Sequence, residues 1–167
     1  NKIDLSIFLT DDKCTDGTVC AVKECMKGED LHIIEADGNA FWAGGMRLSW
    51  STAIKTGGFD FYLLLNDDTD VWKNLFEELL LTHSFCQKEF GKGGVYSGVV
   101  TWKNNHSLMS FGGKKRFWNL GRFYWVYPNG TPQKCDIVNA NILMVASEVV
   151  EDIGIFQDCY RHSAADN

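Results

Sequence analysis

The chain has 167 residues, 45% of them hydrophobic and 23% charged, which is typical of a single globular domain. Its formal net charge of −6 argues against a surface that coats nucleic acid, because such a surface needs clustered Lys and Arg. No apolar run is long enough for a membrane span, and the six cysteines show no CxxC or zinc-finger spacing, so we expect a cytoplasmic protein with reduced thiols.

The first part of the chain alternates strand and helix patterns. Apolar runs predict buried strands at residues 5–10, 31–35, 61–65 and 94–101. Apolar residues at helical spacing predict helices at 18–27, 46–54 and 72–87, and a glycine-containing loop is expected at 36–45. This alternation predicts an α/β fold with a mostly parallel sheet flanked by helices.

The alternation stops at residue 102. Aromatic, glycine and basic residues dominate 102–134, with weak hairpin signals at 107–112 and 123–127. Long irregular segments in compact domains are usually functional or mobile. The basic cluster Lys114-Lys115-Arg116 is more typical of a solvated turn than of a phosphate contact. Regular structure is expected again at 136–146, before a short helix with Ser147 as its N-cap.

Two predicted strands end directly on carboxylates. Asp11 and Asp12 follow the first strand, and Asp67, Asp68 and Asp70 follow the third. Parallel strands bring such ends to one edge, where open α/β sheets bind their ligands. Oxygen donors without His or Cys suit Mg²⁺ or Mn²⁺. A solvated acidic turn, in which Asp70 caps the next helix, explains the same residues equally well.

Four segments in order resemble motifs of the family 2 glycosyltransferases with the GT-A fold, in particular their rhamnosyltransferase-like members. These segments are DDKCTDGT at 11–18, NAFWAGG at 39–45, LLNDDT at 64–69, and IGIFQ followed by His and Ala-Asp at 153–166. The resemblance covers nearly the whole chain. It implies one GT-A-like domain over 1–167, incomplete at both ends, with 102–134 on the acceptor side.

The resemblance also implies roles for individual residues. Asp68 becomes the Mg²⁺ or Mn²⁺ ligand, and Asp166 becomes the general base that deprotonates the acceptor hydroxyl. The residues implied in nucleotide binding are Asp11, Asp12, Asn39, Gly45 and Asp67. Those implied in acceptor or phosphate contact are Trp42, Trp102, Arg161 and His162.

The implied activity is an inverting sugar transfer in cell-surface polysaccharide synthesis. A UDP-, dTDP- or GDP-linked donor would give its sugar to a hydroxyl of a saccharide or lipid-linked acceptor. No nucleic acid partner is expected. Peripheral association with the inner face of the plasma membrane and a homodimer are both compatible with this assignment.

Departures from the family pattern keep two alternatives open. Asn66 replaces the first acid of the metal motif, and the family's first strand–helix unit is missing, so we expect a fragment with a gap in its sheet. One alternative is a nucleotidyltransferase of related α/β fold, although the Gly-rich basic loop of such enzymes does not follow the first strand. The other is an inactive carbohydrate-binding remnant.

Overall fold

A computed structural model describes residues 3–117 and 121–159, which divide into two compact units. The first unit contains the described residues up to Phe59 together with those from Ile155 onward. The second unit contains Asp60–Gly154. No helix within the described ranges is long and apolar enough to cross a membrane.

The first unit is built around one β–α–β crossover. Its elements are β1 (Ser6–Asp11), α1 (Thr18–Cys25), β2 (Asp30–Glu35) and α2 (Phe41–Thr56). Strands β1 and β2 pair in parallel, from Ser6 opposite Asp30 to Asp11 opposite Glu35, as a helical crossover requires. The Oγ1 of Thr10 donates to the Gly45 carbonyl at 2.8 Å and so ties β1 to α2.

The described residues of the second unit form nine elements, most of them strands. They are β3 (Phe61–Leu65), α3 (Leu75–Phe90), β4 (Val95–Ser97), β5 (Val100–Trp102), β6 (Asn105–Phe111), β7 (Lys114–Phe117), β8 (Arg122–Trp125), β9 (Ile142–Ala146) and α4 (Ser147–Ile153). The core of this unit forms where Leu79 of α3 and Tyr96 of β4 meet Ile142 and Met144 of β9. All five residues of β9 are buried, so β9 is the central strand.

The prediction of a mostly parallel, GT-A-like sheet is wrong. Among the described strands only β1 and β2 pair in parallel, while β3-β9-β4, β5-β6 and β7-β8 are short antiparallel sheets, giving an α+β protein. Because β3 and β4 are both antiparallel to β9, they run in the same direction, as the strand–helix–strand rhythm implied. Strand β9 lies between them in the opposite direction, and this insertion removes the parallel pairing.

Several predicted boundaries also change. Helix α2 begins at Phe41, inside the expected loop, and the strand expected at 94–101 divides into β4 and β5. Asp70 does not cap α3, because Asn74 stands at the cap position and the Asp70 Oδ2 lies 2.9 Å from the Lys103 Nζ. Ser147 is the first residue of α4 rather than its N-cap.

Candidate functional site: two acidic strand ends

The end of β1 in the first unit carries two carboxylates that are held differently. The Oδ1 of Asp11 accepts one backbone N–H, from Cys14 at 2.8 Å. The Asp12 carboxylate accepts three, from Gly38 at 2.7 Å, from Ala40 at 3.0 Å and from Phe41 at 3.3 Å. Asp12 therefore holds the loop between β2 and α2. The bond to Asp11 comes instead from the turn that directly follows β1.

Two non-glycine residues beside these carboxylates have positive backbone φ angles. Lys13 has φ 61° and Phe41 has φ 51°, in a region that L-residues other than Asn and Asp seldom adopt. Such conformations persist where surrounding bonds fix them and occur most often at functional sites. Here the bonds are the backbone contacts of Asp11 and Asp12, so these contacts hold the locally strained loop pair at this strand end.

The other predicted residues of the first unit lie close to this loop pair in sequence, but each of them makes a contact of its own. The N–H of Asn39 donates to the Asp37 Oδ1 at 2.9 Å, and the Asn39 residue is exposed. Gly45 lies inside α2, where an added Cβ would be in ordinary contact with Thr10. The ring of Trp42 packs 5.8 Å from that of Phe156, so it contributes to packing in this unit.

Asp16 shapes the turn that leads from this strand end into α1, and its titration is a direct test of the turn. Its Oδ1 accepts the Oγ1 hydroxyl of Thr18 at 2.6 Å and the Thr18 N–H at 3.0 Å. These bonds favour the carboxylate and lower the pKa of Asp16 below its usual 3.8. The stability that Asp16 contributes is therefore fully present above pH 3.8 and is lost as the pH falls through the lowered pKa.

We expect Thr18→Ala to raise the pKa of Asp16 toward its usual value, because the hydroxyl donor is removed while the N–H donor stays. Titration of the Asp16 carboxyl carbon by NMR measures this directly. Thr15→Ala is the matched control, since Thr15 is not a cause of the shift. An Asp16 pKa that is equal in wild type and Thr18→Ala would contradict the assigned contact.

The end of β3 in the second unit carries the other acidic pair. Asp67 and Asp68 follow this strand closely and are both exposed. The turn is fixed by the N–H of Asn66 donating to the Asn141 carbonyl at 3.2 Å and by the N–H of Thr69 donating to the Asn66 carbonyl at 3.3 Å. The two carboxylates therefore project from a turn that is anchored to the segment preceding β9.

A cation at this turn would rely on few protein ligands. Across residues 3–117 and 121–159, no group of three or more His, Cys, Asp or Glu side chains is placed to hold a metal ion. Mg²⁺ is commonly bound by one or two carboxylates, with waters and substrate phosphates completing its shell. Asp67 and Asp68 have the oxygen chemistry for such a site.

One of the remaining predicted residues is an exposed tryptophan, and the other three are not among the residues that the structure describes. Trp102, at the end of β5, is 60% exposed. Arg161, His162 and Asp166 lie outside the described residues.

The structure also brings together residues that the sequence analysis did not select. At one end of the β7–β8 hairpin, basic and aromatic residues border an open surface depression of about 580 Å³. The available signal is the basic cluster Lys114-Lys115-Arg116, which the sequence analysis interprets as a solvated turn, together with the aromatic residues that follow it.

Comparison with protein-family models, with curated proteins and with solved structures gave no match.

Proposed function

We propose that the protein transfers a sugar from a nucleotide-sugar donor to a hydroxyl group, assisted by Mg²⁺ or Mn²⁺. The observation that carries the proposal is that β1 and β3 both form and each leads directly into the acidic motif that resembles a glycosyltransferase motif. The proposal rests on these strand ends and on the motif resemblance, and it does not require a parallel sheet.

Each strand end supplies a separate function. Asp68, with Asp67 beside it, would hold the cation, which when bound would supply the positive charge that stabilises a leaving diphosphate. In the first unit, the resemblance implies Asp11 as a nucleotide contact, and the loop pair that carries it is already ordered by backbone contacts. Asp166 accepts the proton of the attacking hydroxyl as general base.

Thermal unfolding with nucleoside diphosphates and Mn²⁺ tests the metal assignment. A ligand that binds only the folded chain stabilises it by about 2.7 kcal/mol at a hundred times its Kd. We expect UDP, dTDP or GDP to raise the unfolding temperature only when Mn²⁺ is present, and we expect Asp68→Ala to abolish this increase. Asp70→Ala is the matched control, because it removes a neighbouring carboxylate that is paired with Lys103.

Two outcomes would contradict the proposal. A Mn²⁺-dependent increase that survives in Asp68→Ala would remove Asp68 as the ligand. Release of pyrophosphate instead of a nucleoside diphosphate during turnover would indicate nucleotidyl transfer.

A further inference from the structure

The helix α3 buries one face in the second unit and leaves large apolar side chains on the opposite face. On the inner face Leu79 belongs to the buried core, and Leu75 and Cys86 pack against that core. On the outer face Leu81 is 57% exposed and Phe85 is 40% exposed. Leu81 lies about 160° around the helix from Leu79, because each residue turns an α-helix by about 100°. The core of the unit therefore does not account for Leu81 and Phe85.

The outer face of α3 has the residue spacing of a coiled-coil seam. Its exposed positions Glu78, Leu81, Phe85 and Lys88 are separated by three, four and three residues. Side chains at this spacing form one stripe along a helix, and the stripes of two helices interlock. The two apolar residues lie at the middle of this seam. An acid lies at its N-terminal end and a base at its C-terminal end.

The seam is complementary to itself when a second copy is turned end for end. With the two-fold axis at the level of His83, Leu81 faces the partner's Phe85 and Glu78 faces the partner's Lys88. Each contact then occurs twice, as a two-fold symmetric interface requires. In a parallel pair each charge would instead face its own copy, and like charges oppose association. A second copy of this chain is therefore the partner that this face fits.

We propose that the protein forms a two-fold symmetric dimer in which the α3 helices of two copies pack antiparallel. Burial of Leu81 and Phe85 drives the association, and the charged ends of the seam set its direction. The proposal concerns α3 alone, so it does not depend on the sugar transfer proposed above.

The size of the seam sets the strength of the dimer. The stripe from Glu78 to Lys88 covers about 15 Å of helix. One helix pair of this length buries less than the roughly 1,200–2,000 Å² of a standard interface, so the dimer is weak and forms only at high protein concentration. Its flanking charges are exposed, so salt weakens it further.

Sedimentation equilibrium of the whole chain, over a concentration series that extends into the high micromolar range, tests the proposal. We expect a reversible equilibrium between monomer and dimer. Leu81→Gln and Phe85→Gln are each expected to weaken it by about tenfold or more, since each change removes two symmetry-related apolar contacts. Both side chains point away from the core, so the variants remain folded, which circular dichroism checks.

The matched control is Leu108→Gln, because Leu108 is 56% exposed in β6 of the same unit and lies outside the seam. We expect this variant to dimerise like the wild type. A chain that stays monomeric at every concentration, a dimer that is unchanged in folded Leu81→Gln and Phe85→Gln, or an equal loss in Leu108→Gln would overturn the proposal.

Charge exchange tests the direction of the helices. Glu78→Lys and Lys88→Glu each place like charges at both ends of the antiparallel seam, so each variant alone is expected to dimerise more weakly than the wild type. The double variant restores both attractive pairs and is expected to recover the affinity, and an equal mixture of the two single variants is expected to form heterodimers. No recovery in the double variant, or a wild-type dimer that strengthens with added salt, would overturn the antiparallel arrangement.

Discussion

Gly113→Ala is expected to destabilise the second unit by about 3 kcal/mol, at the upper end of the usual cost of overpacking. Gly113 is buried at the base of β7, and a Cβ added there would overlap the Sγ of Cys135 and lie 3.1 Å from its Cβ. The backbone cannot move away freely, because the Gly113 carbonyl accepts the Val126 N–H at 2.9 Å. Urea unfolding of the whole chain measures the loss.

Two comparison variants separate this overlap from a general effect of alanine. Gly98→Ala is the matched control in the same unit, since its Cβ would lie 3.7 Å from the Ile142 side chain, an ordinary contact. In a Cys135→Ala background the sulfur is absent, so we expect the cost of Gly113→Ala to fall by roughly half or more, a coupling typical of residues in direct contact. Equal stability of Gly113→Ala and Gly98→Ala, or no coupling to Cys135, would show that the overlap is not the cause.

The positions of β1, α1 and β2 in the first unit and of β3 in the second follow from the sequence, because their apolar patterns are local. Strands β1, β2 and β3 form within one residue of the predicted bounds. The partner and direction of β9 do not follow, since five consecutive apolar residues indicate burial but not the neighbours of a strand. That antiparallel insertion between β3 and β4, together with the antiparallel pairs β5-β6 and β7-β8, decides the fold class.

The candidate sites show the same division between local and long-range information. Acidic residues at the ends of β1 and β3 are visible in the sequence. The contacts of the Asp12 carboxylate are not visible in the sequence, because the backbone amides that donate to it are 26 to 29 residues away. The pairing of basic with aromatic residues in the β7–β8 hairpin is equally hidden, since it exists only in the register of the two strands.

Asp12→Ala is expected to destabilise the first unit by about 2 kcal/mol, because the N–H groups of Gly38, Ala40 and Phe41 lose a charged acceptor together. Asp12→Asn keeps one acceptor oxygen, so we expect roughly half that loss. Asp37→Ala is the matched control in the same loop, since the Asp37 carboxylate accepts the Asn39 N–H. Chemical unfolding gives the stability of each variant, and amide hydrogen exchange reports the three N–H groups individually.

This measurement also separates the two roles considered for Asp12. If the carboxylate holds the loop, exchange at Gly38, Ala40 and Phe41 accelerates in Asp12→Ala with no nucleotide present, and much more than in Asp37→Ala. If Asp12 instead contacts the donor, exchange and stability stay close to those of Asp37→Ala while nucleotide affinity falls. The first result leaves Asp11 as the carboxylate of this strand end that is available to a donor, because its Oδ1 accepts a bond only from the adjacent turn. The second would contradict the arrangement in which the Asp12 carboxylate holds the loop through three backbone amides.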